Sequence, residues 1–154
     1  MNTPPETRPA AKELSTGQEC LVHGSCVSLQ GQAVLLLGPS GSGKSSLALQ
    51  LMAYGADLVA DDTTCVQVRE DALLARSPKE TAGLIEARGV GLLSAGYQGA
   101  IIRLVVDLSS TETERLPPER RYNLLGQSVP LLHKVEAAFF PAAILQYLKG
   151  GRSA

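Results

Sequence analysis

An α/β phosphate-loop domain built on a β-rich sheet is the fold the sequence predicts, and three observations predict it. The chain has 154 residues, of which 44% are hydrophobic, enough for one domain with a core of ordinary size. Short apolar, partly β-branched runs bounded by Gly, Gln and Asp recur along it, and few stretches carry a helical pattern. A G-x-x-x-x-G-K-S motif stands between one such apolar run and one helical stretch.

Each element follows from local composition. Residues 1–16 are rich in Pro, Thr, Ala and Glu, which bury too little apolar area to offset the entropy of ordering, so a disordered tail is expected there. The domain is expected over 17–150, with a C-terminal tail over 151–154. The apolar runs 20–29 and 32–37, separated by Gln30-Gly31-Gln32, predict a strand, a tight turn and a buried strand that feeds the glycine-rich loop. From Lys44 to Tyr54, the spacing of Leu47, Leu49, Leu51 and Met52 predicts a helix that Gly55 ends at its C′ position. Residues 57–62, "DLVADD", read as a short strand ending in two aspartates, and 63–76 as a hairpin turning at Glu70-Asp71. A glycine-punctuated stretch, 83–99, precedes the strand "AIIRLVVDL". Residues 109–128, polar and interrupted by Pro117-Pro118, are expected to form an exposed loop or cap. A short strand or turn after Pro130 and a helix beginning near Pro141 complete the chain.

Composition excludes several classes of partner. The formal net charge is -1 and the pI about 6.1, so no electrostatic footprint for nucleic acid or an anionic membrane is visible. Cys20, Cys26 and Cys65 lack zinc-ligand spacing and read as reduced thiols. No secretory signal and no apolar run of membrane-spanning length occurs, which predicts a soluble, cytoplasmic protein.

The chemistry is concentrated in a few residues. Gly38, Pro39, Ser40, Gly41, Ser42, Gly43, Lys44, Ser45 and Ser46 form the loop and the first turn after it. Its glycines let successive backbone N–H groups face inward, making an anion nest at the positive end of a helix dipole. Lys44 would reach the β- and γ-phosphates of a nucleotide, and the Ser45 hydroxyl would ligate Mg2+. Asp61 and Asp62 end the next strand, where a carboxylate is the usual second hold on the metal. Two adjacent carboxylates repel each other, so one of them can serve as a base toward an attacking hydroxyl. His23 by itself reads as a structural histidine.

Taken together, His23, the loop 38–45, "LVADD" and Glu86-Ala87-Arg88-Gly89-Val90-Gly91 occur in the order found in the HPr kinase/phosphorylase family, whose catalytic domain the chain resembles. The resemblance implies an ATP- and Mg2+-dependent protein serine kinase that phosphorylates an HPr-like phosphocarrier of the phosphotransferase system. It implies a compact domain similar to the nucleotide core of phosphoenolpyruvate carboxykinase, assembled as a homo-oligomer, usually a hexamer. Carried over, Ser45 and Glu86 match the metal ligands, Asp62 with Asp61 beside it takes the serine proton, His23 orients that aspartate, and Arg88 holds negative charge. Arg115 in Glu114-Arg115-Leu116 matches a phosphate-clamping arginine, with Arg120 and Arg121 as alternatives. Typical members carry a further N-terminal domain, so the resemblance leads to the expectation of a short form. Residues 129–134, "VPLLHK", lack both arginines of a motif tied to the reverse, phosphorylase reaction, which is therefore expected to be weak or absent. His133 and Lys134 could supply one charge there, in what is otherwise a surface turn. A small-molecule kinase using the same loop, or a non-catalytic nucleotide-binding regulator, are the alternative functions.

Overall fold

The computed structural model describes residues 11–13 and 18–154. Strand β1 spans Ala11–Glu13, β2 Glu19–Leu29 and β3 Gln32–Leu37, after which helix α1 covers Lys44–Ala53. Strands β4 (Asp57–Ala60), β5 (Thr63–Arg69) and β6 (Ala72–Arg76) follow, then a 3-10 turn at Lys79–Thr81. Strands β7 (Leu84–Ala87) and β8 (Gly91–Ser94) form a separate hairpin. Strands β9 (Ala100–Thr111), β10 (Arg120–Leu124) and β11 (Gln127–Lys134) lead into helix α2 (Phe140–Gly150). The result is a mixed α/β fold on a nine-stranded sheet.

The early elements form where the sequence places them. Gln30 and Gly31 have φ of 53° and 80°, the two left-handed residues of a hairpin turn whose twist matches its strands. Gly55, at φ 109°, follows α1, and the amides of Gly55 and Ala56 donate to Met52 and Leu51 carbonyls, closing the helix C-terminus. Glu70 and Asp71 are likewise both left-handed and join β5 to β6.

Strand β2 organises the sheet because it is long enough to change partners. Residues 19–23 pair antiparallel with β5, whereas residues 24–29 pair with β3 and 26–28 with β4. Strand β9 pairs with β6 at its start and then runs parallel to β3 and β11. The path β2–β5–β6–β9–β3 therefore returns to β2. Because β3, β9 and β11 run in the same direction, the loop 38–43 and the connections 112–119 and 135–139 all leave one edge of the sheet.

Both faces of β3 are buried. Leu35 and Leu37 of β3 pack with Cys20, Val22, Ile102 and Tyr122 on one side. Val34 and Leu36 pack on the other with Leu47 and Leu51 of α1 and Ile144 and Leu148 of α2. A strand buried on both faces reads as a continuous apolar run, which is what "AVLLL" is.

Three expectations are corrected. Of the expected tail, Ala11–Glu13 is a strand antiparallel to β2, with Ala11 opposite Val22; backbone pairing needs only a free strand edge, so tail-like composition did not prevent it. The rest of that tail lies outside the described residues. The expected loop 109–128 contains the end of β9 and all of β10, with Tyr122 and Leu124 buried on one face at period two. The surface turn expected at 129–134 is part of β11, paired in parallel with β9. Among the described residues no helix is long and apolar enough to cross a membrane.

Candidate functional site

The glycine-rich loop begins directly after β3. Gly38, Gly41 and Gly43 have φ of 147°, 85° and 102°, values that side-chain-bearing residues rarely adopt, and a Cβ on Gly38 would lie 2.5 Å from Ser42 Oγ. Gly43 caps α1 without a side-chain hydrogen bond, so the first-turn N–H groups keep their donor capacity. Lys44 opens the helix and is 7% exposed, with Nζ donating to the carbonyls of Gly38 (2.7 Å) and Pro39 (3.1 Å). Burial pushes its ammonium below the ordinary lysine value, opposed by the Asp62 and Asp61 carboxylates.

The aspartate pair sits on the turn from β4 into β5, and β2 grips that turn. The Gly24 amide donates to the Asp62 carbonyl at 2.9 Å, and Ser25 Oγ accepts from the Asp62 amide at 3.2 Å. A Cβ on Gly24 would meet the Leu36 carbonyl at 2.7 Å, so glycine at this position lets β2 lie close against β3.

The two carboxylates have different surroundings. Asp61 is 8% exposed and accepts three hydrogen bonds: from Ser25 Oγ (2.8 Å) and Ser45 Oγ (2.7 Å) on Oδ1, and from the Glu86 amide (3.1 Å) on Oδ2. Asp62, left-handed at φ 67°, turns a side chain 72% exposed outward, and its Oδ1 lies 3.7 Å from His23 Nδ1. One carboxylate thus ties loop, strand and hairpin together, and the other is open to solvent beside an imidazole.

The structure brings His23, Lys44, Ser45, Asp61, Asp62 and the backbone of Glu86 into one cluster. Ile85 anchors the β7–β8 hairpin in the core on the helix side, and the Gln98 amide donates to the Leu58 carbonyl at 3.1 Å. The Glu86 and Arg88 side chains are exposed and make no hydrogen bond or ion pair among the described residues. Arg115 is likewise exposed and unpaired on the connection 112–119. Arg120 and Arg121 are engaged, with Glu112 and with Glu119 and Ser128 respectively. His133 Nδ1 lies 3.9 Å from Glu112, and Lys134 Nζ 3.6 Å from Glu136. Among the described residues no group of three or more His, Cys, Asp or Glu side chains converges as a metal site.

Two residues were missed in the sequence. Ser25 holds the aspartate turn; it lies two positions after His23 on the same strand, hence on the same face, and that spacing could have found it. Glu112 gathers Arg120, His133 and the amides of Thr113 and Glu114, and no motif marks it.

The family model described as "HPr Serine kinase C-terminal domain" matches residues 14–132. The HPr kinase/phosphorylase of Clostridium beijerinckii is 36% identical over 127 residues, covering 74% of this chain and 42% of that protein. That of Geobacillus thermodenitrificans is 40% identical over 116 residues, covering 68% and 35%. The chain thus spans well under half the length of these relatives. The solved structure of the HPr(Ser) kinase/phosphatase from Coxiella burnetii superposes with a TM-score of 0.70 at 22% identity, covering 84% of this chain and 88% of that one.

Proposed function

The chain belongs to the HPr serine kinase C-terminal domain family, and from that premise we propose that it transfers the γ-phosphoryl group of ATP to a serine hydroxyl of an HPr-like phosphocarrier. The observation that carries the reading is the asymmetry of the aspartate pair beside the glycine-rich loop: a fully engaged Asp61 next to an exposed Asp62 facing His23.

The residues present fit a nucleotide triphosphate with Mg2+. A buried ammonium whose hydrogen-bond partners among the described residues are loop carbonyls, with helix N–H groups beside it, is suited to phosphate oxygens. Ser45 and Glu86 supply hard oxygen donors that would hold Mg2+, with Asp61 fixing the Ser45 hydroxyl. When bound, the ion neutralises charge on the transferring phosphoryl group.

This chain's own residues supply the rest. Lys44 binds the β- and γ-phosphates once released from its carbonyls. Asp62 accepts the proton of the acceptor serine, and its exposure leaves room for a protein substrate. His23 orients that carboxylate from 3.7 Å. Arg88 and Arg115, exposed and unpaired among the described residues, would hold the developing negative charge. The same loop supports classing the domain with phosphate-loop folds of the phosphoenolpyruvate carboxykinase kind; action in the cytoplasm as a homo-oligomer is proposed from the family resemblance. The reverse reaction is weak, because residues 129–134 carry no arginine and His133 is turned onto Glu112.

Incubation with ATP, Mg2+ and an HPr-like carrier should yield phosphoserine on the carrier. Transfer no greater than that of Lys44→Ala overturns the reading. Release of pyrophosphate from the phosphorylated carrier and inorganic phosphate should be slow by comparison.

A further inference from the structure

A cavity of about 260 Å3 opens beside the glycine-rich loop. Its inner wall is Ser42 and Gly43 of the loop with Ser46, Leu47 and Gln50 of α1; neither Lys44, Ser45, Asp61 nor Asp62 lines it. The opposite wall is the connection from β11 to α2, at Ala137 and Ala138, with Leu108 and Phe140 adding apolar surface. Lys134 and Glu136, paired at 3.6 Å, also border it.

We propose that this cavity receives the nucleoside of the phosphoryl donor, with Gln50 reading the edge of the base; the proposal rests on the phosphate-loop reading above. A linear triphosphate lying over the start of α1 has two ends. The terminal phosphoryl group belongs at Asp62, so the group carried by the innermost phosphate lies at the other end, where Ser42, Gly43 and Ser46 pass from loop to cavity. The lining matches a flat heteroaromatic ring, which needs apolar contact on its faces and hydrogen-bonding groups on its edge. Leu47, Leu108 and Phe140 supply the former. Gln50, one turn beyond Ser46 on the same helix face, offers both a donor and an acceptor amide atom. Ser42 Oγ is buried without a hydrogen-bond partner among the described residues, a donor left over at the junction between loop and cavity. The volume lies near the lower end of ligand pockets, which run from roughly 300 Å3 upward, and suits a base and its sugar.

Titration of the purified chain with Mg-ATP and with inorganic tripolyphosphate, followed by calorimetry, separates the two readings. The wild-type chain should bind ATP more tightly than tripolyphosphate. Ala138→Trp, at an exposed position, should weaken ATP about tenfold or more by filling the cavity, and leave tripolyphosphate within about twofold. Gln50→Ala, on the exposed face of α1, should weaken ATP alone by about threefold or more. Equal wild-type affinity for both ligands, or variants that weaken both alike or neither, places the nucleoside elsewhere and leaves the loop reading standing. A wild-type chain that binds neither ligand removes the loop reading, and this proposal with it.

Discussion

Asp61 and Asp62 are adjacent in sequence and opposite in circumstance. Asp61 accepts from the buried Ser25 Oγ as well as from Ser45 Oγ and the Glu86 amide, so its loss leaves a buried donor and two part-buried ones without this partner. Asp61→Ala should lower unfolding free energy by roughly 2–3 kcal/mol, measured by urea denaturation. Asp62→Asn, at an exposed carboxylate, should change stability by less than about 0.5 kcal/mol while reducing transfer about 100-fold or more, with nucleotide binding retained. A reversal of these two phenotypes would move the base to Asp61. The sequence marked both residues but not their division of labour, because that division is made by Ser25, Ser45 and a hairpin backbone brought in from three other elements. Cys26 shows the same dependence on surroundings: burial pushes its thiol well above the ordinary cysteine value, as expected of a core residue without redox chemistry.

The elements were legible to the extent that their signals are local. The turn at Gln30-Gly31, the helix ended by Gly55 and the hairpin at Glu70-Asp71 each depend on residues within a few positions, and each forms. The connection between β9 and β10 was not legible, because charges and Pro117-Pro118 mask the alternation of the buried Tyr122 and Leu124 and because Glu112, whose side chain is 7% exposed, is recognisable only in three dimensions. The Arg120 guanidinium, hydrogen-bonded to Glu112 and aided by the amides of Glu114 and Thr113, holds that carboxyl below the ordinary glutamate value. A lowered folded-state pKa contributes stability that is present above the unfolded value and lost as pH falls through the folded one. Arg120→Ala should therefore destabilise the chain most near neutrality and progressively less as pH falls through and below the glutamate range, as followed by urea denaturation at several pH values. A stability loss that does not shrink on acidification would mean that the Glu112 carboxylate does not anchor this connection.

At the scale of the whole molecule, β3 is the wall shared by both cores. Leu35 faces the core lined by Tyr122 and Leu36 the core lined by the helices, and both are fully buried. Leu35→Ala and Leu36→Ala should each cost about 2–5 kcal/mol. The Leu36 variant should also weaken nucleotide binding more, because its core carries α1; equal effects on binding would show that the loop is supported from both sides. The class of fold was readable from apolar runs and one motif, whereas the return of β9 to β6 and β3 joins residues far apart in the chain and left no local mark. That return also governs how the molecule meets its neighbours. Five strands close their hydrogen bonding on one another, and the strands of the large sheet with a single partner are short: the three-residue β1, the four-residue β4, and β10, which begins with Arg120 and Arg121 just after two prolines. Short or charged rims resist the addition of a foreign strand, so the architecture that holds the loop also disfavours amyloid-like growth from the large sheet.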